Sequence, residues 1–317
     1  MSASTQDALI LILIFAIVTL GLDVVVGYTR ILAINQALLF GVGAFGFGFV
    51  VNHLHTESLL VAWAITIPAA ALLGALVAIV SLRVKGDYFI VVSFGVQVVG
   101  IQALYNWNTV SGGPSGVLGL PYPSIFGWSP ISLGDYLLLS LGVAAVCYAG
   151  VALLLLAPYG RLLRALGQDE PALEAAGFSP VRLKVSAFVL GGALAAVAGC
   201  LYSGYEGIAQ TTDFSLNLSI FLVAMVVVGG AGRIVGGLFG AALYVLVPHF
   251  LNESGLSSSN VGAIEQIVFG GLLLLVVMTL PTGISGGLSA GWRRFAQVRR
   301  PAASQPTVHQ QSAADRD

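Results

Sequence analysis

ALILILIFAIVTLGLDVVV, residues 8–26, carries a single charged side chain, Asp23. A helix needs about 20 apolar residues to cross the hydrocarbon core of a bilayer. A secretory leader would open on a basic segment, but the first Lys or Arg of this chain is Arg30. The stretch is therefore predicted to be a retained transmembrane helix rather than a cleaved leader.

The rest of the chain repeats the pattern. Of 317 residues, 57% are hydrophobic and only 9% charged, against about 25% charged in a soluble domain. No water-soluble fold could hide that much apolar surface, so lipid must be the solvent for most of it. Apolar runs near 7–27, 36–51, 59–81, 88–105, 133–156, 185–205, 216–232, 235–251 and 263–281 predict an all-α, polytopic bundle of about nine spans. One membrane domain is expected over 1–290, followed by a basic, disordered cytoplasmic tail over 291–317.

The charges orient this bundle. All 13 Lys and Arg fall in alternate loops or in the tail. The positive-inside rule places those loops in the cytoplasm. The C-terminus is then cytoplasmic and the N-terminus external, unless 36–51 dips into the membrane without crossing. The longest external loop, 106–130, is rich in turn residues. The longest internal one, about 157–184, is predicted to hold a short helix on the cytoplasmic face, near 168–178.

Several chemistries are excluded or weakly supported. A phosphate-binding P-loop needs Gly-Lys before Ser or Thr, and both lysines, Lys85 and Lys184, follow other residues. The chain is therefore expected not to be an ATPase of that class itself. A net charge of −1 gives no reason to expect nucleic acid. His53, His55 and Glu57 lie close enough in sequence for a metal, but a solvated turn explains them as simply, and no metal site is assigned. Cys147 and Cys200 read as small membrane-buried residues. Asp23 is the one clear carboxylate deep in an apolar run; it could serve transport, pair with Arg30 or simply reach the interface.

Uncharged amides and small residues mark the remaining candidates. Asn35, Gln36, Ser93, Gln97 and Gln102 can bond between helices or line a polar path. Gly191, Ala195 and Gly199 recur every four residues, as do Gly232, Gly236 and Gly240, and Ala33, Ala37 and Gly41. Such ladders let helix backbones approach closely. Asn35, Gln36, Gly41, Gly43, Gly46, Gly48, Gln97, Gly229, Gly230, Gly232 and Gly236 are therefore assigned to a translocation path or to helix packing.

RALGQDEPALEAAGFSPVRLKVSAFVLGGALAAVAGCLYSGYEG (164–207) closely resembles the cytoplasmic loop and following helix of branched-chain amino acid ABC transporter permeases. GYTRILAINQALLFGVGAFGFG (27–48), KGDYFIVVSFGVQ (85–97), SGGPSGVLGLP (111–121) and VVVGGAGRIVGGLFGAALYVLVP (226–248) match in order. Within the two-permease systems of that family, the chain resembles the member carrying the Arg/Lys-Gly-x-Tyr-Phe motif. It departs from the common pattern at Arg30, at Ile34-Asn35-Gln36 and at Arg233, changes that bear on the solute rather than the architecture.

The resemblance implies a permease subunit of an ATP-driven importer in a bacterial inner membrane, no enzyme and with no cofactor of its own, the ATP being bound by partner subunits. Its partners would be cytoplasmic ATP-binding subunits, a second, related permease and an external binding protein. The solute would be a branched-chain or related amino acid; related permeases carry urea and short amides. The family's ATPase-docking motif maps onto Glu174, Ala175, Ala176 and Gly177, with Arg161, Arg164, Asp169 and Glu170 as a polar rim. A stand-alone carrier or channel, or a membrane scaffold, are the readings of other classes.

Overall fold

A computed structural model describes residues 3–81, 88–125, 127–130, 132–253 and 270–271. The ninth expected span, 263–281, therefore lies almost wholly outside the described residues, as do Arg83, Lys85 and the tail over 291–317.

Six helices are long and apolar enough to cross a membrane. They are α1 (Ala3–Asp23), continued by a π-helical turn (Val24–Tyr28), α2 (Gln36–Leu54), α3 (Leu59–Ser81), α4 (Tyr88–Asn106), α6 (Leu133–Leu156) and α9 (Pro180–Glu206). Between them lie the short α5 (Asn108–Ser111), α7 (Pro158–Gln168) and α8 (Glu170–Ala175). After α9 follow α10 (Leu216–Gly229) and α11 (Gly236–Glu253). Nine crossings are not confirmed among the described residues. The described residues hold six helices of crossing length and two shorter apolar ones, in α10 and α11.

α1 is the centre of the bundle. Ile10, Ile14, Ile17, Leu20 and Leu22 are fully buried, which is why the helix is apolar all round instead of on one stripe. α9 lies beside it and carries the small residues. A Cβ on Gly191 would stand 3.0 Å from the carbonyl of Gly21 in α1. One on Gly192 would stand 2.6 Å from the carbonyl of Ala70 in α3. One on Gly43 in α2 would stand 2.7 Å from Cα of Ala196. Three helices thus pack on α9 backbone to backbone. With lipid as solvent there is little hydrophobic gain in pairing helices, so close dispersion contact must hold them together.

The same contacts give the helix directions. Tyr205 of α9 donates its hydroxyl to Asp7 at 2.5 Å, and Gly191 meets Gly21, so α1 runs antiparallel to α9. Thr66 lies 3.4 Å from Cys200 and Gly74 abuts Phe188, so α3 is antiparallel too. α2, with Gly43 on Ala196 and Phe47 beside Gly204, is parallel to α9. The start of α1 therefore shares an end of the bundle with the loop 106–130. α7 and α8 occupy the opposite end.

Segment 36–51 is one unbroken helix within α2, so its glycines do not interrupt it. Its start is deeper than a surface origin would place it. Gln36 reaches the carbonyl of Gly191, near the middle of α9, at 3.1 Å. Residues 30–35 are non-helical and feed the chain into the bundle before α2 begins. α10 likewise begins inside: Phe214, two residues before it, packs on Gly41 and accepts a hydrogen bond from Gln97. That is why α10 has only 14 residues, about 21 Å of helix.

The loop 106–130 covers one end of the bundle. Its strand β1 (Val117–Leu118) pairs antiparallel with β2 (Ile208–Ala209), an element the turn-rich composition did not predict. Val117 presses on Gly48 and Pro123 on Gly204. At the start of α6, Ser132 and Asp135 form a reciprocal capping box, which satisfies two backbone donors that a helix end would leave open.

Candidate functional site

Two regions hold the candidate residues. The first lies inside the bundle, where α2 starts. The first four N–H groups of a helix have no partner within it, and at membrane depth water is scarce. Here two of them are met by side chains of other helices. Ala37 donates to Oγ of Ser219 in α10 at 3.1 Å, and Leu38 donates to Oε1 of Gln97 in α4 at 2.9 Å. The Gln97 amide donates onward to the carbonyl of Phe214 at 3.0 Å. Just before the helix, Ile34 donates to Oγ of Ser93 at 3.2 Å. Asn35 is buried, and its Nδ2 has no hydrogen-bond partner among the described residues.

Gln36, Ser93 and Gln97, candidates by sequence, are thus brought together around one helix start. Ser219 completes the group and was not singled out. A lone serine in an apolar helix commonly bonds its own preceding turn, so its sequence neighbourhood carries no sign that it caps another helix. Gln102 is not part of the cluster and sits on the exposed face of α4. Gln97→Leu leaves the Leu38 N–H and the Phe214 carbonyl without their partner, at roughly 1–3 kcal/mol for each buried group. A clear fall in melting temperature in detergent is expected, while Gln102→Leu should change it little.

The glycine candidates divide by neighbour. Gly41 faces Phe214, Gly43 faces Ala196, Gly46 faces Thr66 and Gly48 faces Val117. In the α10–α11 hairpin, Gly229 faces Gly236 and Gly240 faces Met225. Gly230 and Gly232 take positive φ, 109° and 80°, in the turn between those helices. Gly232 is therefore not the first rung of a helical ladder with Gly236 and Gly240.

Asp23 is buried, and it does not pair with Arg30. Its Oδ1 accepts the backbone N–H of Gly232 at 2.7 Å. Arg30 takes a left-handed conformation, φ 57°, with its Cγ turned toward Gly167 of α7. Cys147 and Cys200 are free thiols. The His53 ring stacks on Phe49 at 4.4 Å, and His55 ends α2 in a left-handed conformation.

The second region is the helix pair at the opposite end of the bundle from the loop 106–130. One helix was expected near 168–178; two form instead. Pro171 cannot extend α7, because it lacks an N–H and crowds the preceding turn. The chain breaks at Asp169, φ −152° and ψ 97°, and the Asp169 carboxylate caps α8 by accepting from Ala172 N–H at 3.0 Å. At the other end, Gly177 N–H reaches Glu174 O at 2.9 Å and Phe178 N–H reaches Leu173 O at 3.2 Å. This pairing needs φ > 0 at Gly177, where φ is 86°.

Leu173 is buried and anchors α8. Glu174, Ala175, Ala176 and Phe178 are exposed, so the small face points away from the bundle. The polar rim is partly used within the chain. Glu170 pairs with Lys184 at 2.7 Å, Arg164 lies over the Tyr28 ring with its Cζ 5.6 Å from the centroid, and Asp169 is a cap. Arg161 is exposed. α7 buries Gly160, Leu163 and Leu166 and rests on the end of α1's π-helical turn, where Gly167 abuts the Tyr28 carbonyl. Tyr159 hydrogen-bonds Ser186 at 2.8 Å; partial burial still holds its phenol above the ordinary range.

An amphipathic helix pair braced on the central helix, with a small exposed face, suits docking by a second protein. Comparison with known proteins gives the chain a family. The profile described as "Branched-chain amino acid transport system / permease component" matches residues 4–277. The chain belongs to that family. It is 29% identical over 307 residues to the high-affinity branched-chain amino acid transport system permease protein LivM of Escherichia coli, covering 89% of this chain and 70% of LivM. It is 26% identical over 315 residues to the probable branched-chain amino acid transport permease protein LivM of Methanocaldococcus jannaschii, covering 86% and 90%. A shorter match, 33% over 128 residues, joins it to LivH of Escherichia coli, at 40% of this chain and 39% of that one. No solved structure matches the chain. As a member of a permease family, the chain carries its candidate machinery on membrane helices and on one exposed helix pair.

Proposed function

We propose that this chain is the membrane-spanning permease subunit of an ATP-driven importer for branched-chain or related amino acids. The observation that carries the reading is the family match over 4–277. The braced α7–α8 pair, with Glu174, Ala175 and Ala176 exposed on it, supports it. The subunit sits in the bacterial inner membrane with α7–α8 and the C-terminus cytoplasmic and the start of α1 external, the side favoured by the distribution of Lys and Arg. Cytoplasmic subunits bind the ATP and dock on α7–α8. A second, related permease completes the pathway, and an external binding protein delivers the solute. Closure of the ATPase pair moves α7–α8 and rocks the bundle between outward- and inward-facing states.

The test is uptake into proteoliposomes holding the assembled complex, across a panel of amino acids, urea and short amides. Uptake of branched-chain amino acids that needs both ATP and the binding protein is expected. Uptake by this chain alone without ATP would establish a secondary carrier instead. ATP-dependent uptake confined to urea or amides would keep the importer and replace the solute.

A further inference from the structure

The π-helical turn Val24–Tyr28 joins the two candidate regions. At its lower end it meets the exposed helix pair: Arg164 lies over the Tyr28 ring, and Gly167 abuts the Tyr28 carbonyl. At its upper end stands Asp23, whose Oδ1 holds the Gly232 N–H at 2.7 Å. Its Oδ2 is buried and meets no described partner. Gly27, inside the turn, fits into the angle between the Asp23 carboxylate and Gly232, where no side chain has room. A Cβ on Gly232 would in turn lie 3.1 Å from the Gly27 carbonyl. Two glycine backbones thus meet face to face, pinned by one carboxylate.

Gly232 belongs to the turn that ends α10. The other end of α10 carries Ser219, the acceptor for the Ala37 N–H of α2. A displacement at α7 therefore has a continuous packed route to the amide cluster through Tyr28, Asp23, Gly232 and Ser219. A π turn holds its backbone in wider i→i+5 rings than its α-helical neighbours, and such turns are concentrated at functional sites.

We propose that the π-helical turn is the joint that transmits movement of α7–α8 to α10, and that Asp23 is the latch of that joint. The transmission half rests on the importer reading above; the latch does not. The role asked of Asp23 is that of a hydrogen-bond acceptor. Asparagine at this position keeps an acceptor oxygen, and alanine does not.

The experiment reads the turn directly. Ala231 is exposed in the turn between α10 and α11, next to Gly232, so Ala231→Cys on a Cys147→Ala background offers a thiol for maleimide labelling, with Cys200 fully buried. In the isolated chain, Asp23→Ala should raise the labelling rate roughly tenfold, the size expected from losing one buried hydrogen bond. Asp23→Asn should leave it near the original rate. In the assembled complex, a non-hydrolysable ATP analogue should change the rate, and Asp23→Ala should abolish that change. Tyr28→Leu removes the seat of Arg164 without touching Asp23; it should blunt the nucleotide response while the isolated chain labels as before.

Unchanged labelling in Asp23→Ala would overturn the latch, as would Asp23→Asn behaving like Asp23→Ala. A complex whose unmutated turn ignores nucleotide, with the latch intact, would remove the importer reading and the transmission claim together. A full nucleotide response in Tyr28→Leu would remove the route through α7 alone.

Discussion

Gly199→Val is expected to abolish accumulation of the chain in the membrane. A Cβ at this position meets the Phe40 carbonyl, stands 2.8 Å from the Ala44 nitrogen and 2.9 Å from Cα of Gly43. Each of these is α2 backbone, which no rotamer change can move aside. α2 and α9 would have to separate along the seam where α9 also contacts α1 and α3. Overpacking a well-filled core by a few methylene groups costs typically about 1–3 kcal/mol; driving two backbones apart should exceed that. Quantitative detection of folded protein in detergent extracts checks it. Gly95→Val in α4, where an added Cβ meets nothing within 4 Å, is the matched control and should accumulate normally.

Glu174→Lys should leave folding intact and stop uptake. Glu174 is exposed on α8, and its hydrogen bonds among the described residues run through its backbone, the carbonyl accepting from Gly177. Its side chain is free to meet a docking protein. Reversing a charge that is buried on docking costs roughly 2 kcal/mol or more, enough to lower productive assembly by well over tenfold. Membrane insertion and detergent melting should match the original chain, while ATP-driven uptake and co-purification of the ATPase fall together. Normal uptake by a correctly inserted Glu174→Lys chain would sink the docking role given to α8. Asp169→Ala reaches the same surface by a milder route, because loss of an N-cap costs about 1 kcal/mol and α8 has only six residues to hold itself together. Partial loss of uptake, without loss of insertion, is expected there.

Much of the bundle was legible in residue order. A run of apolar residues long enough to cross lipid must form a helix, since no other single segment satisfies its own backbone there. Hence 59–81 and 133–156 were bounded in the sequence as they stand in α3 and α6. The small-residue ladder at Gly191, Ala195 and Gly199 likewise announced a helix with close neighbours. Less legible were breaks set by single residues. The split between α7 and α8 depends on Pro171 and on the Asp169 cap, and either could have belonged to one kinked helix.

The mid-bundle start of α2 was not legible at all. NQALLFGVGAFGFG reads as a span with polar residues at its surface end. In the folded chain that end is inside, because Gln97 and Ser219, 59 and 182 residues further on from the groups they meet, replace the water its N–H groups would need. The same holds for Asp23, whose obvious sequence partner was Arg30 and whose actual partner is the backbone of Gly232. By itself the sequence determined the solvent, the class of fold, the family and the longest helices, because these depend on local hydrophobicity and ordered motifs. Only the tertiary structure decided where helices begin in depth and which polar groups meet. Those depend on hydrogen bonds between segments far apart in the chain, and no local pattern records such a pairing.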